Sequence, residues 1–206
     1  MSAPKGRRTQ KGTGTQKGTG SAQELVAGFE PENELERRVA EDPVLLQGLA
    51  WGDPREGHPE GSVGAHVADL LRTIESWGES GVRRSELRFL ALVHDALKYR
   101  VKEWLPRIGE NHHAMRARRF AEGYTEDESL LAILELHDKP YSIWRRAQRT
   151  GKSHDHAVEE MIDRVPDREL FLRFVELDGS TEGKRPEPVE WVRSELAARR
   201  GGAQPR

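Results

Sequence analysis

The sequence predicts an all-α bundle, and three observations carry that prediction. Apolar residues recur at three- and four-residue steps through most of the chain, the segments are punctuated by Gly, Pro and capping residues, and no stretch shows β-branched strand alternation. From Val63, the positions Val63, Val67, Leu70, Leu71, Ile74 and Trp77 form one stripe on a helix ending near Gly78. A second helix begins after Gly81 and carries Leu87, Leu90, Ala91 and Leu97 on one face. A third covers residues 111–122. A fourth opens on the capping-box pattern TEDE at residues 125–128, continues through Leu130, Ile133 and Leu134, and stops near Lys139-Pro140. Residues 141–149 read as a short helix, and 156–165, 167–178 and 188–198 as three more.

Composition bounds the chemistry. The chain has 206 residues, 33 basic and 35 acidic side chains, a formal net charge of -2 and a hydrophobic fraction of 35%, as expected of one medium-sized domain with a segment that adds little to its core. It has no cysteine, which excludes a disulfide-stapled module, a thiolate zinc site, a cysteine nucleophile and an iron–sulfur cluster. Any metal must therefore sit on His, Asp or Glu. The poorly apolar segment is the start of the chain, where Lys5, Arg7, Arg8, Lys11 and Lys17 occur without an acid and the hexamer TQKGTG stands twice in succession. The near-neutral total thus hides a basic tail on an acidic body. Residues 1–22 are expected to be a disordered low-complexity tail, 23–198 the helical domain and 199–206 a flexible end. The tail has either of two uses, holding nucleic acid by simple electrostatics or acting as a solubilising leader. No apolar run follows the basic start and none approaches the ~18 residues of a membrane span, so the expected location is cytoplasmic, with no membrane partner.

Certain polar residues fall on the apolar stripes. His66 lies three residues after Val63 and four before Leu70, on the buried face of its helix. His94 follows Leu90 by four, His137 follows Ile133 by four, and Asp178 follows Phe174 by four and Val175 by three. Four helices thus each aim one metal-competent side chain at the core. A buried carboxylate is costly unless it meets a cation or donors, so the conjunction of three His and one Asp points to a shared site, with Asp95 adding a second carboxylate. The dipeptide His-Asp occurs three times. His94-Asp95 sits at the centre of the apolar FLALVHDALK, His137-Asp138 closes a helix with Asp138 expected to face solvent, and His154-Asp155 lies in a polar stretch where Asp or Ser serves as a helix cap.

The ordered series His66, His94-Asp95, His112 or His113, His137 and Asp178 resembles the ligand series of the HD-domain metal-dependent phosphohydrolase superfamily. The segment GHPEGSVGAHVADLL, residues 57–71, is similar to the opening of the HD domain in bacterial tRNA nucleotidyltransferases. The likeness covers roughly residues 57–179 and implies an HD-domain-like helical bundle; it is expected to stand without a nucleotidyltransferase head, since only about 35 helix-prone residues separate the tail from Gly57. It implies His66, His94, Asp95 and Asp178 as ligands of a first metal, and His112, His113 and His137 as a second metal site or phosphate contacts. The chain departs from the HDxGK pattern of many members, since HDALK keeps Lys98 but puts Leu97 where glycine is common.

Imidazole and carboxylate ligands suit a divalent Mn, Fe, Co, Ni, Zn or Mg ion. Such an ion lowers the pKa of bound water and offsets charge on a phosphoryl oxygen. The expected function is hydrolysis of a phosphomonoester or phosphodiester, a nucleotide in the first instance, by metal-bound hydroxide, with Asp95 as ligand and water-orienting group. Lys98, Arg116 and Arg119 are candidate contacts for substrate phosphate, and Trp104, Trp144 and Tyr141 candidates for a nucleobase pocket. His58 is assigned to shaping the helix entrance. The alternative is a non-catalytic HD-fold binding or regulatory module, RNA-associated through its tail, against which stands the complete ligand set.

Overall fold

The computed structural model describes residues 20–54 and 59–200. The expected disordered tail up to residue 19, His58, and the end of the chain from residue 201 lie outside the described residues. Among those described the architecture is all-helical, with no strand. Three short helices come first, α1 (Ala22–Leu25), α2 (Glu34–Ala40) and α3 (Pro43–Leu49). Longer ones follow as α4 (Val63–Ser76), α5 (Gly81–Val93), α6 (His113–Ala121), α7 (Glu128–Leu136), α8 (Lys139–Thr150), α9 (Asp155–Asp163), α10 (Arg168–Gly179) and α11 (Glu187–Arg200).

Capping residues set the helix starts. Ser21 and Glu24 form a reciprocal capping box on α1, Ser62 Oγ accepts from Ala65 N at 3.1 Å to start α4, and Asp167 Oδ1 accepts from Leu170 N at 2.8 Å to start α10. The helix expected from Thr125 starts two residues later. Asp127 caps α7 by taking both Ser129 N and Leu130 N, while Thr125 Oγ1 takes only Asp127 N. A carboxylate that satisfies two orphan N–H groups at the positive helix end outcompetes a hydroxyl. Pro140, expected to stop a helix, instead sits in the first turn of α8, where its missing N–H costs nothing. The flexible end expected from residue 199 is helical to residue 200, and Arg199 pairs with Glu195 and reaches Asp155 at 3.2 Å.

Helix α5 is the hub, packed against α2, α4, α7 and α10. Phe89, Leu90, Phe171, Phe174, Leu70 and Ile74 are fully buried there. The first three helices cover α4 and α5 and are fastened by a buried ion pair: Arg88 Nε and Nη2 donate to Glu36 Oε1 and Oε2, both at 2.9 Å, and Nη2 also donates to Glu30 O at 2.8 Å. No described helix is long and apolar enough to cross a membrane.

Candidate metal centre

Two helices end where the site begins. α5 stops at Val93, with His94 at its C-cap and Asp95 in the turn that follows, so the pair is not at a helix centre as expected. Neighbours on a continuous helix point about 100° apart; breaking it lets His94 and Asp95 face one centre. Leu97, expected on the α5 face, lies buried in that turn. α7 likewise stops at Leu136, with His137 at its C-cap. His94 Nδ1 lies 3.0 Å from Ala91 O and His137 Nδ1 2.9 Å from Leu134 O. A carbonyl only accepts, so both rings carry their proton on Nδ1 and turn the Nε2 lone pair inward.

α4 supplies His66 and α10 supplies Asp178, whose Oδ1 lies 3.0 Å from His66 Nε2 and 3.7 Å from His94 Nε2. The two oxygens of Asp95 face different ways. Oδ2 lies 3.5 Å from His94 Nε2, while Oδ1 lies 3.4 Å from His113 Nε2 and 3.9 Å from His137 Nε2. Two sets with metal-ligand spacing therefore share one carboxylate: His66, His94 and Asp95, and Asp95, His113 and His137. The rings run in file, His66 to His94 at 5.4 Å, His94 to His137 at 5.3 Å, and His137 to His113 at 5.3 Å, with Phe174 packed edge-on against His94.

Electrostatics tests whether a cation fits. Burial drives the His94 pKa down to about 4, so its ring is neutral at neutral pH. Its Nε2 is buried without a hydrogen-bond partner and faces two carboxylate oxygens, acceptor against acceptors. Burial alone would also raise the Asp95 and Asp178 carboxyls, but Lys98 and the histidines hold Asp95 ionised, and Lys184 and His66 hold Asp178 ionised, both well below the carboxylate range. For His66 burial lowers the pKa, but the contact with Asp178 wins and raises it. Converging lone pairs around an anionic pair, with imidazole N–H groups anchored on carbonyls behind, are the donor set of a divalent ion. The residues fit such an ion.

The expected site residues divide. His66, His94, Asp95, His113, His137 and Asp178 come together, and Lys98 joins them with Nζ on Asp95 Oδ2. His112 stacks on His113 at 4.6 Å and, with His113 and Asp138, forms a third group at metal-ligand spacing, while its Nδ1 caps α6 by accepting from Ala114 N at 3.2 Å. Arg116 is half-buried on α6; its Nη2 donates to Asn111 Oδ1 at 3.4 Å and its Nε is buried without a partner. Arg119, by contrast, points to solvent and is tied to Glu122 and Glu110, so it does not reach the site. Trp104 is 79% exposed, and Tyr141 stacks on Trp144 at 6.2 Å on the outer part of α8. The third His-Asp copy stands at the start of α9, where His154 Nε2 meets Thr150 Oγ1 at 3.2 Å.

Three acidic or basic contributors escape sequence reasoning. Asp138, expected to face solvent, is half-buried with Oδ2 3.1 Å from His113 Nε2, because the tight α7–α8 junction turns it back. Glu60 Oε1 stands 3.3 Å behind His66 Nδ1. Lys184, in the α10–α11 loop, lies 3.7 Å from Asp178 Oδ1. For Asp138 the His-Asp dipeptide was a usable signal; an irregular loop offers none for Lys184. Comparison with protein-family models, curated proteins and solved structures gives no match to this chain.

Proposed function

We propose that this chain is a metal-dependent phosphohydrolase of the HD type, acting on a phosphomonoester or phosphodiester, a nucleotide foremost. The observation that carries the reading is Asp95, whose two oxygens address two histidine sets in a buried, charge-rich centre. When bound, a divalent ion supplies a Lewis acid for a phosphoryl oxygen and a water of lowered pKa. His66, His94, Asp95 and Asp178 would hold it, and His113, His137 and Asp138 surround the other oxygen of Asp95 for a second. Lys98 keeps Asp95 ionised and in one orientation, so that the carboxylate stays an acceptor. Arg116, with a buried donor unsatisfied, is the arginine to meet substrate phosphate, and bidentate guanidinium geometry matches that group. A narrow cleft beside His66, Asp95 and Lys98, about 10 Å³ in volume and bordered by Trp51, admits one water-sized group.

The test is metal analysis of purified protein followed by a screen of nucleotides and generic phosphate esters, with Asp95→Ala beside the wild type. Bound divalent metal and a hydrolysed ester, both lost in Asp95→Ala, are the expected results. A wild-type protein that takes up no divalent ion overturns the reading; metal without turnover of any ester leaves a binding module in its place.

A further inference from the structure

Lys184 is the basic residue that the α10–α11 loop brings to the cluster. It follows Gly183, whose φ of 83° lies in the left-handed region, and its backbone N–H donates to Thr181 O at 3.2 Å. Thr181 Oγ1 in turn donates to Asp178 O at 3.3 Å, so this turn returns the chain to the end of α10 and directs the lysine back over Asp178. The side chain is only 25% exposed. Its ammonium meets Asp178 at Oδ1, the oxygen that also faces His66 and His94.

The contact is 3.7 Å, longer than the roughly 2.7–2.9 Å of a charge-assisted hydrogen bond. An ammonium carries three donors, and among the described residues no hydrogen bond from Lys184 Nζ is formed. Lys98 differs, since its Nζ is engaged by Asp95. The fields of Asp178 first, then Asp95, Asp138 and Glu60, outweigh burial and keep Lys184 charged. A charged group held among the carboxylates with its donors uncommitted is equipped for a ligand rich in anionic oxygens.

Resting on the phosphohydrolase reading, we infer that Lys184 is a phosphate-binding residue of this centre, contributed by the α10–α11 loop and contacting the phosphoryl group of the substrate. Lys98 and Lys184 then flank the centre from the Asp95 and Asp178 sides, and Arg116 stands on α6. A bare counter-ion for Asp178 would need only charge; a phosphate-binding residue also needs reach and free N–H groups.

The experiment measures inorganic phosphate binding by calorimetry to the full chain, loaded with the divalent ion that co-purifies or with Mn2+ if none does. Lys184→Met is expected to weaken phosphate binding by about tenfold or more with metal content unchanged, and Lys184→Arg to restore most of it. In the wild type, phosphate is expected to protect Lys184 from acetylation, read by mass spectrometry, which needs no variant to fold. Phosphate affinity within twofold of wild type in Lys184→Met, or acetylation of Lys184 unaffected by phosphate, overturns the assignment. If wild type binds neither metal nor phosphate, the phosphohydrolase reading itself has failed, and that is visible before any variant is compared.

Discussion

A Cβ placed on Gly48 would lie 1.8 Å from the carbonyl oxygen of Ala96, so α3 meets the turn carrying His94 and Asp95 backbone to backbone. No side chain at 48 can swing aside, because the obstacle is main chain. Gly48→Ala must therefore push that turn away. A loss of about 1–3 kcal/mol of stability is expected. Metal content should fall with it, since His94 and Asp95 sit immediately before Ala96. Chemical denaturation and elemental analysis of the same preparation check both; unchanged metal content would mean that the turn yields without disturbing the site.

Asp95 is shared, whereas His66 and His137 each belong to one set. Asp95→Ala is accordingly expected to abolish binding at both sets that share it, His66→Ala to affect one set and His137→Ala the other. Metal stoichiometry by mass spectrometry separates these outcomes. Stripping the ions with a chelator should lower the melting temperature, because a ligand present at a hundred times its Kd stabilises by about 2.7 kcal/mol.

The buried pair Glu36–Arg88 fastens the first helices to the hub. Glu36 also accepts from Glu32 N at 2.9 Å and from Asn33 Nδ2 at 3.2 Å, so removing it orphans these donors and strips a buried guanidinium of its buried carboxylate, leaving it the half-exposed Glu32 at 3.1 Å. Glu36→Ala should cost about 3–5 kcal/mol. The double variant Glu36→Met with Arg88→Met should recover much of that loss in urea unfolding, because no buried charge is then left unpaired.

Tyr124 donates to Asp42 at 2.5 Å, joining the loop after α6 to the cap of α3. Burial, and then this contact, push its pKa up to about 12 from the usual 10.0. The unfolded chain thus loses the proton first. This contribution to stability is complete below about pH 10 and is lost as pH rises toward about 12. Melting curves across that window should show the loss in wild type and a flatter response in Tyr124→Phe.

The helical class, most helix positions and the inward-facing His66, His94, His137 and Asp178 were legible in the sequence, because a 3.6-residue period places every third or fourth side chain on one face. That period places Arg116 and Arg119, three residues apart, on neighbouring positions of α6 and does not separate them; tertiary packing half-buries Arg116 and leaves Arg119 in solvent, tied to Glu122 and Glu110. Helix ends were less legible. Whether Thr125 or Asp127 caps α7 is a competition between two adjacent acceptors, and local pattern alone does not rank them.

What the sequence by itself determined is therefore the architecture and the identity of the histidines and aspartates that gather in it, since burial follows from periodicity and the lack of cysteine leaves His, Asp and Glu as the side chains that could hold a metal. The tertiary structure decided the rest. It ended α5 and α7 at His94 and His137, divided the two oxygens of Asp95 between two sets, put His113 in a set with Asp95 and His112 only in one with Asp138, and brought Asp138, Glu60 and Lys184 to the same centre. These contributors lie at helix ends and in loops, where no repeating geometry links position in the chain to direction in space, and only the packing of helices far apart in sequence fixes where each side chain points.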